Sequence, residues 1–401
     1  MDIHRDHDLL VRNDKVRIMH AIIVMTGEKM LRKLLVSSLL EPYLPISRLK
    51  HSLKFTHPKV RLVAVAKNEA RYLAEWILHH LYFGIADIEV HYNQCDDNTV
   101  QMGEYLSKHY PVTFINADEG FKASIKSPQV RIYRNALRRS YNEGFSHVLF
   151  LDVDEFLVPK DLEKSIPEML LKKKKFDVVC SNWANKLNDR TVFGRAVENK
   201  LSLELSPTVK SCVKSFVEPP VMNPHTVVSS KLRYGMTGQA EFTTNRDDMS
   251  KVEHCDEVFK KCDFLVVHRQ YRSELEYVAM LGRGRPIEEA KRSSIFKNNR
   301  RGYNVHTNAF DLTFPEQAYA NYSYYLEERL ADAQLQQLLE TAEKSVLERF
   351  ATVKNMIADA PAEEAPLLKR LLKNVTLVDI KTDFSGDNTH KEKLKSDRHA
   401  H

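Results

Sequence analysis

The decisive stretch is His147–Phe156, HVLFLDVDEF. Its first half, HVLFL, is a short apolar run of the kind that forms a buried strand. Its second half delivers Asp152, Asp154 and Glu155 at the end of that strand. Side chains at i and i+2 project from one side of a strand, so Asp152 and Asp154 are expected to converge and Glu155 to point the other way. Two carboxylates aimed at one point repel each other unless a cation or proton lies between them. An all-oxygen pair suits a hard divalent ion, Mn²⁺ or Mg²⁺, that keeps positions open for water and phosphate oxygens. A solvated acidic loop or a helix cap is the plainer alternative for so short a motif.

Toward the N-terminus, strand and helix patterns alternate. Val60–Ala66 (VRLVAVA) is another buried-strand run. Leu73, Trp76, Ile77 and Leu81 then recur at helical spacing, and Gly84 stands where a helix C-cap is expected. Asp87–Tyr92 and Val112–Ile115 read as strands, Thr99–His109 and Gln129–Asn142 as helices. This order predicts an α/β fold, a mostly parallel sheet with helices on both faces. Such sheets bind ligands outside the carboxyl ends of their strands, where the acidic residues lie. Downstream, residues 158–275 are less regular, with a helix at Asp161–Leu171 and strands at Phe176–Ser181, Val209–Val217 and Phe264–His268. Residues 315–350 and 364–373 read as helical, with Leu335, Leu338, Leu339 and Leu347 as core positions. The polar stretch after Gly386 reads as a disordered tail. The expected organisation is an N-terminal extension (1–57), one α/β domain (58–285), a C-terminal helical region (286–385) and the tail (386–401).

Composition narrows the function classes. The 401 residues are 43% apolar and 28% charged, an ordinary globular balance. A net charge of +6 over this length fits an anionic ligand or surface, and without a recognisable motif it argues against nucleic acid. The five cysteines form no CxxC pair, which argues against a disulfide framework and a cysteine zinc site. Ile18–Leu40, the most apolar early stretch, is broken by Glu28, Lys29, Arg32 and Lys33 and cannot span a bilayer. A cytoplasmic protein is expected. Leu31, Leu34, Leu35 and Leu39 share helical spacing and suggest either core packing or peripheral contact with the inner membrane face.

Further segments stand in a definite order. Lys67-Asn68-Glu69 follows the first strand, and Glu75-Trp76, His80 and Gly84 lie along the first helix. Asn93 to Thr99 follows the second strand, and Arg134-Asn135-Ala136 precedes the acidic strand. Together with Asp152–Phe156, this order resembles the nucleotide-sugar glycosyltransferases of the GT-A fold, in the family-2-like bacterial branch related to family 92. The resemblance covers residues 58–285. It implies a GT-A type, Rossmann-like sheet with a C-terminal helical extension, and transfer of a sugar from a nucleotide sugar, a UDP-sugar favoured, to a hydroxyl of a glycan or glycolipid in surface polysaccharide or lipopolysaccharide synthesis.

The resemblance also implies residue roles. Asn68, Glu69, Asn93, Asp97, Arg134 and Asp152 would bind the donor. Asp152 and Asp154 would hold the metal with a late histidine, His268, or its rival His225. The plainer readings are helix starts for Asn68 and Glu69, an Asx-type cap for Asp97 and a solvated helix residue for Arg134. Cys95 stands where the family usually has Ser. No Gly-Glu-Asp setting follows residue 200, so the catalytic base is unassigned, with Asp247, Asp248 and Glu155 as candidates. Gly282–Pro286 (GRGRP) is a candidate lid over a diphosphate, and Lys172–Lys175 a solvated helix end or a lipid-facing run. Two other classes stay open: a metal-dependent phosphohydrolase or nucleotidyltransferase, which needs further acidic ligands on later strands, and a non-catalytic protein that keeps the fold.

Overall fold

The computed structural model describes residues 44–122, 127–219, 221–282 and 296–378. The early helix at Leu31–Leu39, nearly all of the candidate lid and the tail lie outside the described residues.

Helix α1 (Leu44–Lys54) leads into β1 (Val60–Ala66), α2 (Ala70–Tyr82), β2 (Asp87–Tyr92), α3 (Thr99–His109), β3 (Val112–Asn116), α4 (Asp118–Lys122), α5 (Pro128–Ser140) and β4 (His147–Phe150). Next come β5 (Glu155–Pro159), α6 (Ile166–Lys172), β6 (Val178–Leu187), β7 (Lys200–Lys214), β8 (Val221–Met222), β9 (Val227–Val228) and β10 (Tyr234–Met236). Then follow α7 (Cys255–Lys261), β11 (Phe264–His268), α8 (Glu274–Leu281), β12 (Phe310–Thr313), α9 (Glu316–Leu330), α10 (Ala333–Ala358) and α11 (Ala365–Leu371). The main sheet has the order β3-β2-β1-β4-β7-β6-β11-β5, with β10 beside β6 and β12 beside β7. The pairings make β5 and β7 run against all the other strands of this sheet. It is therefore the mixed, mostly parallel sheet flanked by helices that the alternating pattern predicts.

Strand β1 is central and nearly wholly buried, which is why its sequence is continuously apolar. Helix α2 ends at Gly84 (φ +87°), where Gly84 N–H donates to Leu81 O and Ile85 N–H to His80 O, each at 3.0 Å. This pair of bonds is a Schellman closure, and it needs a left-handed residue. On its inner face α2 braces β5. Trp76 Nε1 donates to Glu155 O (2.8 Å), and His79 Nε2 meets Leu157 O (3.1 Å). His80 Nε2 accepts from Leu157 N–H (3.4 Å). Burial holds His79 down at about 3 and His80 well below the ordinary histidine value, so both rings are neutral. Trp76 and His80, two residues of the family-like pattern, thus hold the strand behind the acidic turn.

The sheet is covered on two faces. One core takes in α2, α3, α6 and, from the C-terminal region, Phe314, Tyr322, Leu326 and Leu335. The other lies under α5, β10 and α7. The C-terminal region therefore shares a core with residues 58–285 and adds β12 to the same sheet. Leu335 and Leu339 are buried as expected, whereas Leu347 is 44% exposed. Strands β6 and β7 are longer than the apolar runs suggest, because they form a long hairpin with a bulge between Asn182 and Trp183. The helix expected from Asp161 begins only at Ile166, where Ser165 and Glu168 close a capping box.

Candidate active site

The carboxyl ends of β1, β2, β4, β6 and β11 open on one edge of the sheet. Strand β4 stops at Phe150, and residues 151–154 turn, with Glu155 N–H donating to Asp152 O (3.0 Å). Strand alternation therefore does not govern Asp152 and Asp154, and the expected shared point is replaced by two separate sets of partners.

Asp152 belongs to a lysine. Its Oδ1 accepts from Gln129 Nε2 (2.8 Å), and its Oδ2 from Lys210 Nζ (3.2 Å). Its N–H donates to Glu155 Oε2 (2.9 Å). Lys210 Nζ also meets Glu155 Oε2 (2.9 Å) and Pro224 O (3.1 Å), and neither the Lys210 nor the Glu155 side chain has any exposed surface. Register explains the meeting. The antiparallel pair β4–β7 places Leu149 opposite Cys212, so Lys210, two residues earlier on β7, lies beside the chain as it leaves β4. Burial works against the Lys210 ammonium, but Asp152 and Glu155 overcome it and hold its pKa above the lysine range. Burial, with Asp152 and Asp154 nearby, pushes the Glu155 carboxyl well above the usual range against Lys210. Glu155 is tied to Lys210 and to the backbone of its own turn, which suits a positioning group rather than the base considered from sequence.

Asp154 belongs to a histidine. His268 Nε2 lies 3.6 Å from Asp154 Oδ2, and Arg300 Nη2 lies 4.0 Å from the same oxygen. Burial alone would raise the Asp154 carboxyl; His268, then Arg272 and Arg300, overcome it and hold it well below the carboxylate range. His268 Nδ1 faces Asn185 Oδ1 at 3.1 Å. That oxygen can only accept, so Nδ1 carries the hydrogen. With Nδ1 turned to Asn185, Nε2 faces the Asp154 carboxylate, and a proton or a metal cation between the two would satisfy both.

Among the described residues no group of three or more His, Cys, Asp and Glu side chains is placed to hold a metal. A hard ion of the Mg²⁺ type is commonly held by one or two carboxylates, with phosphates and waters as the rest. Asp154 supplies one such carboxylate, and His268 a neighbouring nitrogen whose ring Asn185 sets as an outer partner. Asp152 gives one oxygen to Gln129 and the other to Lys210, beside this pair.

Trp183 joins the two halves. His268 stacks on it (centroids 4.3 Å), His225 meets it edge-on (5.3 Å), and Lys210 Nζ lies 5.9 Å from its ring centre. Trp183 Nε1 and His225 Nδ1 are buried without a hydrogen-bond partner, and a polar ligand would satisfy such groups. Burial lowers His225 to about 4, Lys210 adding to the effect, so its ring is neutral.

The loops after β1 and β2 lock onto each other. Asn68, in the left-handed region (φ +55°), accepts from Asp96 N–H through Oδ1 (2.8 Å). Asp97 accepts from Thr99 N–H (3.0 Å) and from Ala70 N–H (3.1 Å), so it caps α3 and also ties down the start of α2. Its capping role is thus realised. The Glu69 side chain makes no cap bond to α2 and instead accepts from Arg272 Nη2 (2.8 Å). Asn93 Nδ2 donates to Ala66 O (3.2 Å), while its Oδ1 is buried without a partner, as is Arg134 Nε. Cys95 Sγ accepts from Asn68 N–H (3.4 Å), so the thiol at the departing position still bridges the two loops. Of the candidate bases, Asp248 accepts from Ser250 N–H (3.1 Å) and Oγ (2.7 Å), and Asp247 is exposed.

Sequence reasoning missed Trp183, Gln129, Asn185 and Arg300. The one available signal was that Trp183 is one of two tryptophans and sits in a polar setting, SNWANK.

No protein-family model matches the sequence, and no curated protein matches it. Solved structures similar to it include a mycobacterial protein (13% identity over 34% of this chain and 44% of that one, TM-score 0.24). They also include S. aureus TarS (12% identity, 76% of this chain and 56% of that one, TM-score 0.27). A third is S. aureus TarS 1-349 (15% identity, 74% of this chain and 90% of that one, TM-score 0.26). The chain thus spans about half the length of the first two.

Proposed function

We propose that the chain is a glycosyltransferase that takes a nucleotide sugar at the carboxyl edge of its sheet and passes the sugar to a hydroxyl acceptor. The observation that carries this reading is the facing pair Asp154 and His268, at the end of an acidic motif whose neighbours resemble nucleotide-sugar enzymes. Asp154 and His268 would hold Mn²⁺ or Mg²⁺, which supplies Lewis-acid stabilisation of the leaving nucleoside diphosphate. Arg300, close to Asp154, adds fixed positive charge where negative charge develops. Asn93 Oδ1 and Arg134 Nε offer unsatisfied polar atoms to the nucleotide and diphosphate. Lys210 fixes the Asp152 carboxylate for a donor hydroxyl. Trp183 and His225 border the acceptor side. The resemblance favours a UDP-sugar donor and a glycan or glycolipid acceptor.

Thermal shift tests this reading. UDP or a UDP-sugar with Mn²⁺ should raise Tm by mass action, and Asp154→Asn should abolish the metal-dependent part. A folded protein whose Tm is unmoved by any nucleotide with metal would sink it.

A further inference from the structure

Helix α1 lies at the amino ends of the strands, opposite the site. Its inner side is fully engaged. Arg48 pairs with buried Asp177 (2.6 Å), and His51 Nε2 bonds Ser146 O (2.7 Å). Its outer side is apolar: Ile46 is 51% exposed, Leu49 60% and Leu53 74%. These positions are i, i+3 and i+7, one continuous stripe of a helix. Scattered exposed leucines are ordinary; a whole stripe of them on an 11-residue helix is not.

The surroundings are basic. Lys50 and Lys54 are exposed on α1, which carries no acidic residue. Lys172, the last residue of α6, and Lys174 and Lys175 just beyond it are exposed. Lys174 lines one cavity together with His51, Ser52 and Phe55, so this lysine run stands beside α1. Lys214 Nζ donates to Lys174 O (2.7 Å) and pins the run to the sheet.

We propose that α1 and the adjoining lysine run form a docking face for an anionic lipid bilayer. An apolar stripe flanked by lysines matches an interface that offers acyl chains below and negative headgroups above. A second copy presenting the same face would bring lysines against lysines, so charge disfavours self-pairing. Docked this way, the carboxyl edge faces away from the membrane. An acceptor that reaches it would be a soluble glycan or a long chain rather than a short lipid headgroup. The docking proposal does not depend on the transferase reading.

The test is sedimentation of the full chain with vesicles of phosphatidylcholine, with and without about 30% phosphatidylglycerol. Binding should be roughly tenfold or more stronger on the anionic vesicles and should weaken in about 0.5 M salt. Leu49→Asp/Leu53→Asp and, separately, Lys172→Glu/Lys174→Glu/Lys175→Glu should each lower it by about tenfold or more, with circular dichroism unchanged. Four results would overturn the proposal: no binding by the full chain, equal binding to both vesicle types, variants that bind like the parent, or a dimer in solution that Leu49→Asp/Leu53→Asp dissociates.

Discussion

His268 Nε2 stands 3.6 Å from Asp154 Oδ2, and Asn185 holds the other nitrogen of the same ring. The asparagine decides which nitrogen carries the proton, and so whether Nε2 has a lone pair to give. If this pair is a metal site, Asn185→Ala should weaken Mn²⁺ binding by about 10- to 100-fold while the fold stays intact. Electron paramagnetic resonance of free Mn²⁺ during a titration measures this directly. Unchanged affinity in the variant would remove Asn185 from the site.

Lys210 bridges Glu155 and Asp152, and it shares Asp152 with a neutral Gln129 side chain. Lys210→Met should leave the buried Glu155 carboxyl uncompensated and cost about 3–5 kcal/mol in urea unfolding. Lys210→Met/Glu155→Gln should recover much of that loss, because the charge left behind is then gone. Additive losses in the double variant would contradict the pairing.

Acid should destabilise the protein early. His79, His80 and His147 are buried, and burial holds all three below the ordinary histidine value, His79 at about 3. Unfolding returns each to about 6.5, so below that pH the unfolded chain binds protons that the native state excludes. Stability is full above about pH 6.5 and falls as pH drops toward the native-state values, by about 1.4 kcal/mol per pH unit for each histidine. Urea midpoints that stay level from pH 7 to pH 5 would refute this.

Gly84→Ala should cost about 1–2 kcal/mol, since the Schellman closure needs φ near +87°. The cost should appear in thermal melts and leave nucleotide binding unchanged, because α2 braces β5 from behind.

Local pattern made half of this molecule legible. The boundaries of β1, β2, α3 and β11 follow from apolar runs and spacing, and Gly84 marked a helix end through its chemistry. The meeting of Asp154 and His268 was legible from motif order, because Asp154 follows and His268 ends a recognisable strand segment. Lys210 is 58 residues from Asp152 and reaches it through the register of β4 and β7, which no local pattern encodes. Asp152 diverged from expectation because the strand ended at Phe150, a residue before the apolar run did. Leu347 shows the same limit on a helix: α10 presents Leu335 to the core and Leu347 to solvent. Leu335→Ala should therefore cost about 2–5 kcal/mol and Leu347→Ala within about 0.5 kcal/mol of nothing.

The most direct measurement of the central claim is calorimetric titration of UDP, with and without Mn²⁺, into the parent chain and into Asp154→Asn and His268→Gln. The account predicts binding that strengthens about tenfold or more with Mn²⁺ in the parent and loses that gain in both variants. Equal affinity with and without the metal, or a gain that survives in either variant, would contradict it.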